Sequence, residues 1–298
     1  MATPANPSVA LESAAPRRGQ RFFAIGRALL RRPAHAFGTL LFAAFLLLAL
    51  LGPALAPYGA NQQIATDARQ APSAAHWFGT DRLGRDVFSR VVLGAAEIFA
   101  LAGVGTLLAV AIGTSLGLLS GYRGGWFDEM LMRFFDSLLA LPALLLALLL
   151  LGTLGPSTQA VLLVIVVVYI PIVARVVRSV VLSVKTRAYI EAARVQGESS
   201  ARIMFREILP AVLPVLAVEA ALRFSYAIFL ASSLGFLGVG AQPPSPDWGL
   251  MVFEARGTVS QTPWALYFPA AAISLLVISI NLTADGLKWV FQVNLDSR

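Results

Sequence analysis

Cysteine is absent from the 298-residue chain. Disulfides, thiolate metal sites and cysteine nucleophiles are thereby excluded, and cysteine usage carries no information about compartment. Charge is scarce as well, at 13% of residues. With 57% apolar residues and a mean hydropathy of +0.74, the chain is too apolar for a soluble globular domain and fits an all-α membrane protein with several spans. Histidine occurs twice, as His35 and His76. No G-x-x-x-x-G-K-[ST] phosphate loop is present, so nucleotide-driven work would have to come from another polypeptide. The net charge of +7 does not indicate nucleic acid, because the arginines sit beside apolar runs as a cytoplasmic-side bias requires.

Residues 1–35 read as a cytoplasmic tail, first rich in Ala, Pro and Ser with too little apolar content to fold, then basic. Six arginines between Arg17 and Arg32 flank the first apolar run, 36–52, and fix its orientation. Arg17-Arg18 and the later Ala54-Leu55-Ala56 superficially match an export signal and its cleavage site. Cleavage is rejected: the basic region is too long, Pro57 would begin the mature chain, and five further spans hold the protein in the membrane. The polar stretch 53–97 then falls outside.

A second span, about 98–120, carries Gly105, Ala109, Gly113, Gly117 and Gly121 at steps of four, so another helix can approach that face closely. Within it Gly113-Thr114-Ser115-Leu116-Gly117 matches a nucleophile elbow. No strand precedes it and Ser115 has no evident base, so a hydrolase is set aside. The third span begins after a glycine turn, with Glu129, Arg133 and Asp136 spaced to neutralise one another, and runs through Pro142 to about 151. A fourth, about 158–177, contains Pro171. The fifth, about 212–236, holds Glu219 and Arg223 one turn apart. Each would cost about 3 kcal/mol at the bilayer centre if unpaired, so a mutually neutralising pair is the preferred reading and contact with a solute the alternative. A sixth span, about 267–290, ends with Asn281, Asp285 and Lys288 on one face, and 291–298 is a short tail. Six transmembrane helices with both termini cytoplasmic follow.

Between the fourth and fifth spans lies the longest clearly polar segment, from Glu191 to Pro210. Its pattern is helix, turn, helix: a run from Thr186 to Val195, a break at Gly197, and a restart where Ser199 can cap free backbone N–H groups. Ala201, Met204, Phe205 and Ile208 fall at i, i+3, i+4 and i+7 as one apolar face, with Glu198, Arg202 and Arg206 opposite. Taken alone, such a basic amphipathic segment suits a helix resting on lipid headgroups. The outer stretch from His76 to Arg90 mixes turn glycines with alternating acid and base, and its charges alone suit a self-neutralising loop at headgroup level.

Glu191-Ala192-Ala193, three residues, Gly197, nine residues and a close on Leu209-Pro210 resemble the cytoplasmic loop of ATP-binding-cassette importer permeases, with Glu207 standing where the family-wide pattern has Ile. The run from Trp77 to Arg90 resembles the signature of the second permease subunit of dipeptide, oligopeptide and nickel importers. Ser233 to Gly240, Gln242 to Gly249, and the Asn281-Leu282, Asp285-Gly286-Leu287 ending are similar to further signatures of that branch, although Ala231 stands where the branch often has an acid. The resemblance implies a type I importer permease fold, with a core domain at 98–290 and a coupling loop at 185–210. In that loop Glu191, Ala192, Ala193, Gly197, Ala201, Met204, Phe205, Ile208, Leu209 and Pro210 would dock on an ATPase, while Trp77, Gly79, Asp81, Gly84, Arg85 and Asp86 form the external signature. The partners it implies are a homologous second permease, two cytoplasmic ATPases, an extracytoplasmic solute-binding protein and membrane lipid, with no nucleic acid. No cofactor or metal is expected on this chain, ATP and magnesium belonging to the ATPases, and the chain is expected to be a transport subunit of the bacterial inner membrane and no enzyme. Di- or oligopeptides are the expected solute, with nickel, glutathione and sugar importers sharing these signatures. A secondary transporter or channel is the distant alternative, with Glu219 and Arg223 alone deep enough to couple ions.

Overall fold

The computed structural model describes residues 32–296. The expected disordered tail and the basic flank up to Arg31 lie outside the described residues. Nine helices organise the described part: α1 (Pro33–Leu55), α2 (Val87–Arg123), α3 (Gly125–Leu139), α4 (Ala143–Leu154), α5 (Thr158–Val184), α6 (Ala188–Val195), α7 (Ser200–Phe236), α8 (Trp248–Ala255) and α9 (Pro263–Asp296). Of these, α1, α2, α5, α7 and α9 are individually long and apolar enough to cross a membrane. The chain is an all-α membrane protein, and the sixth crossing is made differently from the other five.

The glycine face of α2 decides the packing. Cβ atoms added at Gly105, Gly113, Gly117 and Gly121 would meet Ile165, Val173, Val177 and Val181 of α5 at 2.7 to 2.9 Å, so the two backbones touch as the small-residue stripe requires. These pairs ascend together in both helices. Thus α2 and α5 run parallel, and the chain between them must travel back the length of the bundle. It does so through α3 and α4, two apolar helices bent by 90° where they meet. The expectation of one continuous third span is corrected here. Pro142 has no N–H to give and forces Leu141 out of the helical region, which ends α3 before α4 begins. The pairing of Arg133 with Asp136 is corrected too: Arg133 reaches Glu129 at 2.7 Å, while Asp136 pairs with Arg175 and Asp128 with Arg178 at 2.6 Å, both across to α5.

Other boundaries shift outward. α1 ends at Leu55 and α2 starts at Val87, so the connection expected over 53–97 is a loop only from 56 to 86. The 37 residues of α2 rise about 55 Å, well beyond a hydrocarbon core of about 30 Å. α9 runs on to Asp296, through most of the expected tail. α1 and α9 cross in opposite directions, with Gly38 against Leu282. One end of the bundle therefore carries the 56–86 loop and α8, hereafter the loop face, and the other carries α6 and the outer ends of α1 and α9.

Candidate coupling and translocation sites

The polar segment after α5 folds as a hooked pair of helices. α6 begins at Ala188 rather than Thr186. It ends in a Schellman closure, with Gly197 N–H donating to the Arg194 carbonyl at 3.0 Å and Glu198 N–H to the Ala193 carbonyl at 3.1 Å. Gly197 adopts φ +78°, a conformation that glycine enters without Cβ strain. Ser199 Oγ then accepts from Arg202 N–H at 3.3 Å and starts α7. No second break follows, so the expected start of the fifth span near 212 is corrected: α7 is one 37-residue helix from Ser200 to Phe236.

Of the apolar face predicted for that helix, Ile208 alone is fully buried, and the rest is out of register. Ile203 and Ile208 are the fully buried residues, Ala201 and Phe205 are exposed, and Met204 is half-buried. The cause is a π-helical stretch over Ile203–Ile208, in which Leu209 N–H reaches back five residues to the Met204 carbonyl. A five-residue step puts 203 and 208 on one side, whereas the predicted face assumed an α-helical step. Pro210 follows directly and has no N–H to continue the ladder.

Ile190, Ile203 and Ile208 anchor the hook in an apolar cluster with Val177, Val181 and Val184 of α5 and Val212 of α7. Lys185 Nζ donates to the Gly121 carbonyl at 2.8 Å, and the Arg194 guanidinium lies over the Tyr122 ring at 5.2 Å. Movement of the hook is thereby tied to the ends of α2 and α5. Its outer surface is exposed at Glu191, Ala192 and Gly197 and half-buried at Ala193 and Leu209; Pro210 is exposed. Three large side chains with apolar surface stand on that surface, Val195 at 88%, Phe205 at 59% and Tyr189 at 42% exposure. Phe205 was singled out from sequence and Val195 was not; Val195 is the last residue of α6, two residues before the break at Gly197.

At mid-depth, Glu219 and Arg223 lie ten and fourteen residues beyond Leu209, about 15 and 21 Å up the helix. They face each other as expected, with Arg223 Nε 2.8 Å from Glu219 Oε1. The N–H does not point at the oxygen, and neither atom has a directed hydrogen bond. The guanidinium lies over the Tyr226 ring at 4.8 Å and toward the Tyr169 ring of α5 at 5.7 Å. Neither tyrosine was singled out from sequence: Tyr226 is an i+3 neighbour of Arg223 on α7 that spacing could have named, whereas the nearness of Tyr169 depends on how α5 meets α7.

The signature from Trp77 to Asp86 is built inward, and its charges are neutralised both within the loop and by Glu254 of α8. Arg85 and Asp86 are buried, and Asp81 half-buried. Arg85 Nε donates to Asp81 Oδ2 at 2.5 Å and its Nη2 to Glu254 Oε2 of α8 at 2.6 Å. Arg90 adds Nη2 to the Ser245 carbonyl at 2.8 Å and Nη1 to the Ala60 carbonyl at 3.1 Å. Asp86 caps α2 by accepting from Ser89 N–H at 2.7 Å, and holds buried His76 Nδ1 at 2.9 Å. Gly79 and Gly84 take φ +69° and +73°. A Cβ on Gly79 would stand 2.6 Å from Trp264 Nε1, the indole that donates to the Thr80 carbonyl at 2.8 Å. Trp77 alone of the six projects outward, 60% exposed. Glu254, 169 residues from Arg85, had no signal in the local pattern.

Beside this network Asp247 caps α8, accepting from Leu250 N–H at 2.8 Å. Burial pushes its carboxyl up to about 6, and nearby Glu97 adds to the shift. Ser115, the apparent elbow serine, donates to the Ala111 carbonyl at 2.9 Å on an exposed face. Among the described residues no three His, Asp or Glu side chains are grouped to hold a metal ion.

Comparisons with known proteins follow the same lines. Residues 113–292 match the family described as binding-protein-dependent transport system inner membrane component, and residues 23–72 match the N-terminal TM domain of oligopeptide transport permease C. The chain is 41% identical over 251 residues to the dipeptide transport system permease protein DppC of Alkalihalophilus pseudofirmus, covering 84% of this chain and 83% of that one. Over 244 residues it is 41% identical to the glutathione transport system permease protein GsiD of Pectobacterium atrosepticum, covering 82% and 81%. The GsiD of Escherichia coli is 42% identical over 261 residues, covering 87% and 86%.

Proposed function

The chain belongs to the inner membrane components of binding-protein-dependent transport systems, and from that premise we propose that it forms one half of the pathway of an ATP-driven importer of short peptides. It is a multi-pass transport subunit of the bacterial inner membrane and not an enzyme. Membership implies ATPases and a solute-binding protein as partners. The finer assignment is our reading: a homologous second permease completes the pathway, two cytoplasmic ATPases carry ATP and magnesium, and an extracytoplasmic binding protein delivers the solute. Relatives named for dipeptide and glutathione transport support a peptide solute, glutathione being itself a small peptide.

The observation that carries the coupling role is the hook at 185–210. It presents exposed Val195 and Phe205 among the exposed charges of Glu191, Arg202 and Arg206, and exposed apolar side chains rimmed by charge suit a protein partner better than water. Its root is fixed to α2 and α5. ATP-driven closure of the ATPases would therefore pull both helices together and rock the bundle between inward-open and outward-open arrangements. In this reading the hook, the start of α1 and the end of α9 lie in the cytoplasm, and the loop face with its external signature lies outside, where the binding protein docks.

The test is uptake by the complete complex in proteoliposomes containing ATP and magnesium. Labelled trialanine should accumulate only when binding protein is present outside and ATP within. Accumulation without ATP, or none with both, would overturn the reading.

A further inference from the structure

Glu219, Arg223, Tyr226 and Tyr169 share an arrangement that neutralisation alone does not require. An ion pair whose task is structural gains most from directed, charge-assisted hydrogen bonds, since unspent donors and acceptors away from water are costly. Here the charges are 2.8 Å apart, yet Arg223 Nε and Glu219 Oε1 leave their hydrogen bonds unmade. The guanidinium plane is instead held by aromatic faces, over Tyr226 at 4.8 Å and toward Tyr169 at 5.7 Å. Cation–π contact positions a cation while leaving its N–H edge free for an oxygen ligand. Tyr226 is 48% exposed, at the border of a pair whose own side chains are 12% and 13% exposed, away from the packed side that Ile228 and Leu234 bury.

We propose that these four side chains form a transit site for the charged ends of a short peptide. Arg223 receives the α-carboxylate and Glu219 the α-ammonium, each exchanging its partner on α7 for a partner on the solute. Between solutes the two residues neutralise each other, so no bare charge stands at mid-depth; during passage the net charge is again zero. The exchange explains why the pair touches without locking, and why aromatic rings stand beside the carboxylate around the arginine. The solute class is a zwitterion with separated ammonium and carboxylate groups. A metal cation fits poorly, because one carboxylate beside an arginine offers it no ligand set.

This inference rests on the peptide reading above, and the experiment separates the two. Complexes carrying Glu219→Gln with Arg223→Gln are compared with the parent for assembly, for ATP hydrolysis stimulated by trialanine-loaded binding protein, and for trialanine taken up per ATP. The double variant should assemble and hydrolyse ATP like the parent while uptake per ATP falls about tenfold. The charge-exchanged variant, Glu219→Arg with Arg223→Glu, should recover much of that uptake, because both end-group partners are present again. Tyr226→Leu, which alters a half-exposed ring and leaves both charges in place, should assemble and lose about threefold in uptake per ATP. Parent-like uptake per ATP in the double variant, or in Tyr226→Leu should the double variant fail to assemble, would make the pair structural and overturn the proposal. A parent complex that takes up no trialanine would remove the peptide reading and this site with it.

Discussion

The loop face and the hook at the opposite end are both rich in charge, and they spend it in opposite ways. On the loop face Arg85 and Arg90 are buried and their four partners are widely spread in the chain: Asp81, Glu254, and the carbonyls of Ala60 and Ser245. At the hook, Glu191, Arg202 and Arg206 are exposed, and the ion pair of Arg202 with Glu198 is long at 3.9 Å. Three buried isoleucines hold the hook, helped at its root by Lys185 and by Arg194 over the Tyr122 ring. The difference teaches that charge in this molecule locks one end and leaves the other free to be gripped.

Removing a locking charge is the strongest way to break that comparison. Arg85→Ala leaves Asp81 and Glu254 facing each other in a buried site, and a broken buried pair costs about 3–5 kcal/mol. The thermal midpoint of the purified complex should drop clearly. Arg133→Ala breaks a pair whose side chains are 69% and 59% exposed, and should cost no more than about 1 kcal/mol. Equal losses in the two variants would erase the distinction between locked and free charge.

A pH titration sharpens it. The Asp247 carboxyl titrates in the folded protein at about 6, above the 3.8 of an unperturbed aspartate, because burial disfavours its charged form. A folded value raised above the unfolded one means that its stabilising contribution is full below pH 3.8 and is lost as pH rises through 6. Stability of the loop face, followed by hydrogen exchange in α8, should therefore fall between pH 4 and 6. Asp247→Asn should flatten that part of the profile. A parent profile already flat there would contradict the buried capping geometry.

The smallest expected effect on stability is at the hook. Phe205→Ser exchanges an exposed ring for a polar side chain, and the thermal midpoint should move by no more than the equivalent of about 0.5 kcal/mol. Peptide-stimulated ATP hydrolysis should nevertheless fall. A stability loss matching that of Arg85→Ala would show that Phe205 belongs to the core.

How much of this was legible in the sequence depends on the range over which each signal acts. The small-residue stripe of α2 announced its close partner, since spacing along one helix suffices for that, although it did not name α5. Gly197 and Ser199 announced the hook, because helix termination and capping are local. The pairing of Glu219 with Arg223 was equally local, being i to i+4. The apolar face of the hook was misread because a π-turn changes the period, and nothing before Pro210 signals it. The bend between α3 and α4 was visible as Pro142 but read as a continuing span, since Pro171 lies inside α5 without ending it. The external signature was recognised as a pattern, while its burial was not: Glu254, Trp264 and Ser245 are brought to it by tertiary packing.

The central claim is that the hook transmits force from an ATPase to α2 and α5, and Gly197 tests it most directly. A Cβ at that position meets nothing within 4 Å, while φ is +78°, so Gly197→Val introduces backbone strain of about 1–2 kcal/mol in the turn without a clash in the core. In reconstituted complexes the variant should insert and assemble as the parent does, and trialanine uptake and peptide-stimulated ATP hydrolysis should fall together. Assembled Gly197→Val complexes that hydrolyse and transport at the parent's rates would contradict the claim.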